Sequence, residues 1–239
     1  MRISVALAAY CGEKYIEEQI RSILAELPGD SEIIVSLDPS KDSTGEILER
    51  LAAEDIRVKY VAGAGRGLIK NFENAIRACS GDVIFLSDQD DIWLPGKVGA
   101  VCAAFSDPEV TVVMHDASVT DCNLNVTEPS FFAFRGRREG VISNAVKNTW
   151  IGCCMAFRRE LCPDILPFPD KIPMHDQWIG IFGKLRGKVI FIDKPYIYWR
   201  RHGDNSSSTS HASVGQMIKW RWDLISAVSR RRRELKKTK

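Results

Sequence analysis

Hydrophobic positions along the first half of the chain switch between two spacings. Ile3-Ser4-Val5-Ala6-Leu7 is a compact apolar run, whereas Ile16, Ile20, Ile23, Leu24 and Leu27 recur every three or four residues. The first pattern predicts a buried strand and the second an amphipathic helix. The pair then repeats. Glu32-Ile33-Ile34-Val35-Ser36-Leu37 reads as a strand, and Ser43-Thr44-Gly45-Glu46 has the residues of a capping box, opening a helix through Ile47, Leu48 and Leu51. A weaker strand at Val58-Lys59-Tyr60-Val61 precedes a helix carrying Ile69, Phe72, Ala75, Ile76 and Cys79. Asp82-Val83-Ile84-Phe85-Leu86 returns to strand.

Strands alternating with helices of this length predict an α/β fold, with a mostly parallel central sheet flanked by helices and right-handed crossovers. Ligands of such sheets sit beyond the carboxyl ends of the strands. Asp38 and Asp88 both fall at such ends. The second half is less regular. Val110-Thr111-Val112-Val113-Met114 and Val189-Ile190-Phe191-Ile192 read as strands, separated by Phe131-Phe132-Ala133-Phe134, the segment 148–157 and a Pro-rich stretch at 163–173. No linker rich in Gly, Ser or Pro splits the chain. One domain over 1–210 is expected, followed by an amphipathic helix and basic tail over 211–239.

The remaining composition narrows the class. The 239 residues are 45% hydrophobic and 27% charged, enough for a full core, and no window is apolar for the roughly 18 residues a membrane span needs. MRISVALAAYCGEKY has too short an apolar run and no cleavage pattern for a signal peptide, so it reads as a first strand. Seven cysteines without a C-x-x-C pair fit free thiols of a cytoplasmic protein better than a disulfide framework. The sequons at Asn125 and Asn205 are then chance matches. Net charge is +2, but the last ten residues hold seven basic residues and one Glu, leaving the rest at about −4.

The densest charge lies elsewhere. Ser87-Asp88-Gln89-Asp90-Asp91-Ile92-Trp93 places three carboxylates in four residues directly after a strand. A solvated loop is the simplest reading. A calcium loop starting at Asp88 fails, because Ile92 and Trp93 stand where an oxygen ligand and Gly are required. A phosphatase of the Asp-x-Asp-x-Thr type fails too, with Ile92 at the Thr position. A hard-cation site remains, in which Mg²⁺ or Mn²⁺ takes one or two carboxylates and leaves its other positions to substrate phosphates.

The run from Ile3 to Ile16, the Asp38 turn, Lys70-Asn71-Phe72 and Ser87 to Trp93 together resemble the family 2 glycosyltransferases. The likeness continues through His115-Asp116, Gly152 to Leu161, Met174-His175-Asp176-Gln177-Trp178 and Tyr198 to Asn205, covering residues 3 to 205 in order. Within the family, S-D-Q-D-D-I-W with H-D-x-W and Y-x-R-H-G-x-N looks like bacterial rhamnosyltransferases. The resemblance implies the GT-A fold, a Rossmann-like nucleotide-sugar domain with a loop-rich, acceptor-side second half. It implies Asp90 as metal ligand with Asp88 and His202, and Asp91 and Arg201 in support. Donor contacts fall to Ala9, Tyr10, Glu13, Asp38, Arg66, Lys70, Asp88 and Gln89. Asp176 matches the catalytic base, and Trp150, Gly152, His175 and Trp178 lie on the acceptor side. Two departures concern the base: Leu37-Asp38-Pro39-Ser40 carries one acid where relatives carry two, and Ala8-Ala9-Tyr10 replaces Pro-Thr-Tyr.

Such a protein would be an inverting, metal-dependent transferase moving a sugar from a dTDP- or UDP-sugar donor to a glycan or lipid-linked acceptor. L-rhamnose is the sugar that the closest motifs suggest, and polysaccharide biosynthesis at the cell surface is the setting. The chemistry is consistent with the residues. The cation neutralises the leaving diphosphate, and a separate carboxylate deprotonates the acceptor hydroxyl. Plainer readings stand beside these roles: Asp176 as a helix N-terminal cap, His202 as a surface histidine, and Trp150 and Gly152 as core. Two rival functions are a non-catalytic nucleotide-sugar-binding subunit and a sugar nucleotidyltransferase. The latter usually has a Gly-rich loop after its first strand, which Ala8-Ala9-Tyr10-Cys11-Gly12 is not.

The tail has its own pattern. Val214, Met217, Ile218, Leu224, Ile225 and Val228 share one helical face, with Trp220 and Trp222 nearby and the basic run following. Packing against the domain and peripheral attachment to the inner face of the plasma membrane are both open. Nucleic acid is not an expected partner, because the basic residues are confined to one terminus.

Overall fold

The computed structural model describes residues 1–146, 148–203 and 213–237. Among them, one nine-stranded sheet runs through the molecule. Its strands are β1 (Ile3–Ala9), β2 (Glu32–Leu37), β3 (Val58–Ala62), β4 (Val83–Ser87), β5 (Ile92–Trp93), β6 (Val110–Thr120), β7 (Val126–Glu128), β8 (Met155–Arg158) and β9 (Lys188–Arg200). They are ordered β3-β2-β1-β4-β8-β6-β9-β5, with β7 on β6. β1 lies parallel to β2 and β4, and β2 parallel to β3. β8 is antiparallel to β4 and β6, while β9 runs parallel to β6.

Strands β1, β2 and β4 follow the apolar runs because both of their faces are covered, whereas β3 at the sheet edge is largely exposed. All seven residues of β1 are buried, so no alternation survives in its sequence. Between β1 and β2 lies α1 (Ile16–Glu26), followed by α2 (Thr44–Glu54) and α3 (Leu68–Ala78). Each buries the predicted stripe: Ile16, Ile20 and Ile23; Leu48 and Leu51; Phe72, Ala75 and Ile76. The chain moves from β1 outward to β3, then crosses back to place β4 on the other side of β1. The crevice where strand order reverses opens between β1 and β4, the place where α/β sheets bind ligands.

The second half has α4 (Lys97–Ala104), α5 (Phe131–Arg135), α6 (Val141–Val146), α7 (Cys162–Ile165), α8 (His175–Arg186) and α9 (Val214–Lys237). Two strands run well past their predicted ends. β6 continues to Thr120 and β9 to Arg200, with Pro195 opposite Asp116 between register shifts that spare it a ladder bond. That extension carries Tyr198-Trp199-Arg200 back to the crevice, where β9 pairs β5 through Ile92 and Trp93. Asp116 proves structural: it is buried and accepts from Ala117 N, Phe132 N and the Ser130 hydroxyl. All seven cysteines are free.

The C-terminal helix α9 docks on the domain through one edge. Leu224 is buried, Val228 and Leu235 pack on the core, and the Arg231 guanidinium donates to the Leu166 and Pro167 carbonyls at 2.7 and 2.6 Å. Ile218, Trp222 and Ile225 face outward, so the predicted apolar face is split rather than covered. The expected boundary at 210–211, the sequon at Asn205 and the last motif residues Asp204 and Asn205 lie outside the described residues.

Candidate active site

Three strand ends meet at the crevice, and short polar ties fix their loops. The Gln89 side-chain amide brackets the backbone of one residue: it donates to the Tyr10 carbonyl and accepts from Tyr10 N, both at 2.9 Å. A Cβ on Gly12 would lie 2.4 Å from Gln89 Oε1, so glycine lets the two loops close on each other. Glu13 reaches across to the start of α2, accepting from Ser43 N and Oγ at 3.1 and 2.6 Å. The expected capping box therefore does not form. Ser43 spends its hydroxyl on Glu13, and Asp42 takes over Thr44 N and Oγ1 instead.

One side of the crevice is built around Asp38 at the end of β2. Asp38 is buried, its Oδ1 accepts from Gly65 N at 2.9 Å, and its own N–H donates to the Ala9 carbonyl. Asn71 Nδ2 donates to that same carbonyl at 3.0 Å, leaving Asn71 Oδ1 buried without a partner. Tyr10 is 60% exposed over this hollow. One donor contact expected from sequence, Lys70, is engaged elsewhere. Lys70 is tied to Glu73, to the Phe168 carbonyl and to Asp170, because the loop before α8 folds onto α3. Arg66 stays largely exposed, 3.9 Å from Asp170. Ala9, Glu13 and Gln89 shape the loops through the bonds described.

The three aspartates after β4 take separate positions. Asp91 is 1% exposed, with Oδ1 accepting from Arg200 N at 3.0 Å and Oδ2 unpartnered. Asp90 Oδ2 lies 2.8 Å from His202 Nε2, brought round by β9. Asp88 is half-buried at the strand end. Burial, then the neighbouring Asp90 and Asp176 carboxylates, push Asp88 up to about 7; burial with Asp90 and Asp88 holds Asp91 well above the carboxylate range. Behind them Lys97 is fully buried, its ammonium 3.0 Å from the Cys153 carbonyl and 3.8 Å from the Trp93 ring centre. Burial lowers its pKa to about 8.

These donors can be tested against a hard divalent cation. Ligand atoms of Asp88, Asp91 and Cys153 lie within 4.8 Å of one another. Asp91 and Cys153 are buried, however, and burial pushes the Cys153 thiol well above its ordinary pKa. A closed pocket with a protonated soft donor does not suit Mg²⁺ or Mn²⁺, which keep open positions for phosphate. Asp90 and His202, at the crevice rim beside Asp88, do fit. Tyr15 steadies this rim. Its ring lies 4.7 Å from the His202 ring and 4.7 Å from the Arg200 guanidinium. Arg201 stacks on Trp199 and supports the strand end.

Asp176 occupies the first turn of α8, one residue inside the helix and not at its cap. It is 4% exposed, and its Oδ1 accepts from Gln177 N and from Asn148 Nδ2. Burial raises it to about 6. A buried carboxylate poised near neutrality can serve as a general base.

The family model described as Glycosyl transferase family 2 matches residues 4–166. The chain belongs to glycosyltransferase family 2. It is 28% identical over 226 residues to dTDP-rhamnosyl transferase RfbG of Shigella flexneri, covering 83% of this chain and 72% of that one. Among solved structures it is similar to S. aureus TarS 1-349 in complex with UDP-GlcNAc, with a TM-score of 0.69 at 20% identity. That match takes in 97% of this chain and 66% of the other, so the chain spans slightly less than two thirds of that structure. It also resembles the mannosyltransferase PcManGT from Pyrobaculum calidifontis in complex with GDP-Man and Mn²⁺, with a TM-score of 0.62 at 17% identity, covering 95% and 73% of the two chains. The fold is accordingly GT-A.

In this family 2 member, the two tryptophans that the resemblance put on the acceptor side are core, which for Trp150 agrees with the plainer reading. Trp178 is fully buried, with its indole N–H on the Ile165 carbonyl and its ring against Phe182. Trp150 is 3% exposed, donates to the Arg138 carbonyl and fills a notch at Gly180, where a Cβ would lie 2.1 Å from its ring. Large rings gain more from burial than an acceptor edge would return, and truncating such a ring costs about 3–5 kcal/mol. His175 is buried too, stacked on Phe72 at 4.1 Å and held neutral, with its pKa lowered to about 3. Gly152 gives it room, since a Cβ there would stand 2.9 Å from His175 Nε2. Sequence reasoning missed Asn148, Tyr15 and Lys97. Only Lys97 left a signal, a lysine four residues after a buried-strand tryptophan.

Proposed function

We propose that this family 2 member is an inverting transferase that moves a sugar from a nucleoside-diphosphate donor to an acceptor hydroxyl, with Asp176 as base. The observation that carries this reading is the convergence of Asp38, Asp88 and Asp90 at one set of strand ends with His202, whose Nε2 lies 2.8 Å from Asp90 Oδ2 across 112 residues of chain. Asp176 is near enough for its charge to disfavour ionisation of Asp88. Both support a reading in which donor and acceptor chemistry share one crevice. Asp38 accepts a hydrogen bond from the base, Tyr10 covers it, and Asp88 takes the donor's ribose or sugar hydroxyls. Asp90 and His202 hold the divalent cation. When bound, Mg²⁺ or Mn²⁺ supplies Lewis-acid neutralisation of the leaving diphosphate. Asp176 receives the acceptor proton, and attack from the face opposite the diphosphate inverts the anomeric carbon.

The donor reading is dTDP-L-rhamnose, supported by the Shigella relative. The UDP-GlcNAc and GDP-Man complexes of the structural neighbours support a nucleotide sugar in general, and the Mn²⁺ in one of them supports the cation. A cell-surface glycan or its lipid-linked precursor is the acceptor, reached from the cytoplasmic side. Among the described residues no helix is long and apolar enough to cross a membrane. Thermal-shift measurements against dTDP-rhamnose and a panel of UDP- and GDP-sugars, each with and without Mn²⁺, test the reading. A bound donor at a hundredfold its Kd stabilises by about 2.7 kcal/mol. The expected result is a cation-dependent rise with dTDP-rhamnose; no rise with any sugar nucleotide overturns the proposal.

A further inference from the structure

The outward face of α9 carries two kinds of residue that the crevice does not use. Ile218, Trp222 and Ile225, spaced four and three residues apart, are 59%, 71% and 54% exposed. Lys219 lies among them, and Arg230, Arg232, Arg233 and Lys236 continue along the exposed helix. The helix as a whole holds eight basic and two acidic residues, and one of the acids, Glu234, is paired with Arg231. The docking edge is already satisfied by Leu224, Val228, Leu235 and the Arg231 bonds to two carbonyls. Holding the fold therefore does not explain the exposed tryptophan.

The position of α9 is informative as well. It packs against α6, whose Ile142 is 82% exposed. α6 in turn is bonded to the catalytic helix: Gln177, next to Asp176, donates through Nε2 to the Asn144 carbonyl at 2.9 Å. The apolar and basic face thus belongs to the acceptor half of the molecule, one helix removed from the proposed base.

We propose that this face of α9 seats the protein on an anionic lipid surface. An acidic partner protein would account for the arginines but not for an isoleucine–tryptophan–isoleucine row interleaved with them. A lipid interface accounts for both: apolar side chains enter the acyl boundary, tryptophan prefers the headgroup level, and the cations meet lipid phosphates. The geometry would present Asp176's side of the crevice to acceptors embedded in that surface. The surface itself stands apart from the glycosyl-transfer reading; only its meaning for the acceptor rests on it.

Co-sedimentation of the 239-residue chain with vesicles of phosphatidylcholine alone, or of phosphatidylcholine with phosphatidylglycerol, tests the inference. Binding is expected only to the anionic vesicles, weakening with salt. Replacing Arg232 and Arg233 together with Glu should cut partitioning on the order of fivefold for each charge removed. Trp222→Ser with Ile225→Ser should also release the protein, since both side chains are exposed and neither supports the fold. Donor-induced thermal shifts should be the same in all variants, so failure of the donor reading would show there and not in sedimentation. Absence of anionic-vesicle binding, equal binding to neutral vesicles, or a Trp222-dependent dimer in solution would each overturn the proposal.

Discussion

His202 Nε2 lies 2.8 Å from Asp90 Oδ2, although 112 residues separate them in the chain. The contact exists because β9 runs thirteen residues without a break, past Pro195, and delivers its end to the loop after β4. Asp91 secures that arrival by accepting from Arg200 N, and Tyr15 packs on His202 from the other side. One imidazole and one carboxylate at the rim form the more open half of the acidic cluster. His202→Ala should therefore lower apparent Mn²⁺ affinity by about 10- to 100-fold, read by metal titration of donor binding. Unchanged affinity would remove His202 from the metal site.

The pH dependence of transfer follows from Asp176. Its pKa is raised to about 6 by burial, and a base must be deprotonated to act. The rate should rise with pH through about 6, roughly tenfold per unit on the acid side, and level off above. A profile of kcat against pH checks this, and a flat profile down to about pH 5 would exclude Asp176 as the titrating base.

Stability of the metal-free protein should run the opposite way. Asp88 and Asp176 titrate near 7 and 6 when folded, against about 3.9 unfolded. Between those limits the folded state holds more protons, so stability falls as pH rises. Glu32, lowered to about 2 by the hydroxyls of Ser80 and Ser4 and by Lys59, acts only at more acid pH, where its contribution is lost as pH falls. In chelator, Tm should decline from about pH 5 to about pH 8, and Mn²⁺ should restore it at the upper end. Lys97→Met should steepen the decline by removing the buried ammonium behind the carboxylates. A Tm independent of both pH and Mn²⁺ would contradict the assigned electrostatics.

Gln89 offers a test of loop geometry separate from charge. Gln89→Ala frees both Tyr10 backbone groups, each worth about 0.5–1.5 kcal/mol, and should weaken donor binding about tenfold in total. Gln89→Glu should be worse, because a carboxylate would face the Tyr10 carbonyl and add a fourth acidic group beside Asp88, Asp90 and Asp91. Donor Kd values by calorimetry rank the two, and the reverse order would mean that Gln89 does not act through Tyr10.

The strand ends were legible because burial on both faces leaves continuous apolar runs, and a run that stops at Asp38 or Asp88 marks where the sheet meets its ligand. The resemblance across residues 3 to 205 then assigned roles that spacing could not. What stayed hidden depends on contacts far apart in sequence. Ser43 had the residues of a capping box, but Glu13, thirty positions earlier, competes for its hydroxyl. The resemblance put Trp150 and Trp178 on the acceptor side, yet Gly180 and the Ile165 carbonyl provide buried seats for them that no local pattern announces. The extension of β9 was missed because Pro195 and charged neighbours break its apolar run, while the register shifts beside Asp116 make room for it.

The role of Asp176 is tested most directly by Asp176→Asn, with donor affinity and transfer rate measured on the same sample. Asparagine keeps the size and the bonds from Gln177 N and Asn148 but cannot take a proton. Donor binding with Mn²⁺ should be retained while transfer falls by about 10²- to 10⁴-fold, the range that a general base contributes. Transfer at the full rate with donor bound would contradict the assignment of Asp176 as the base.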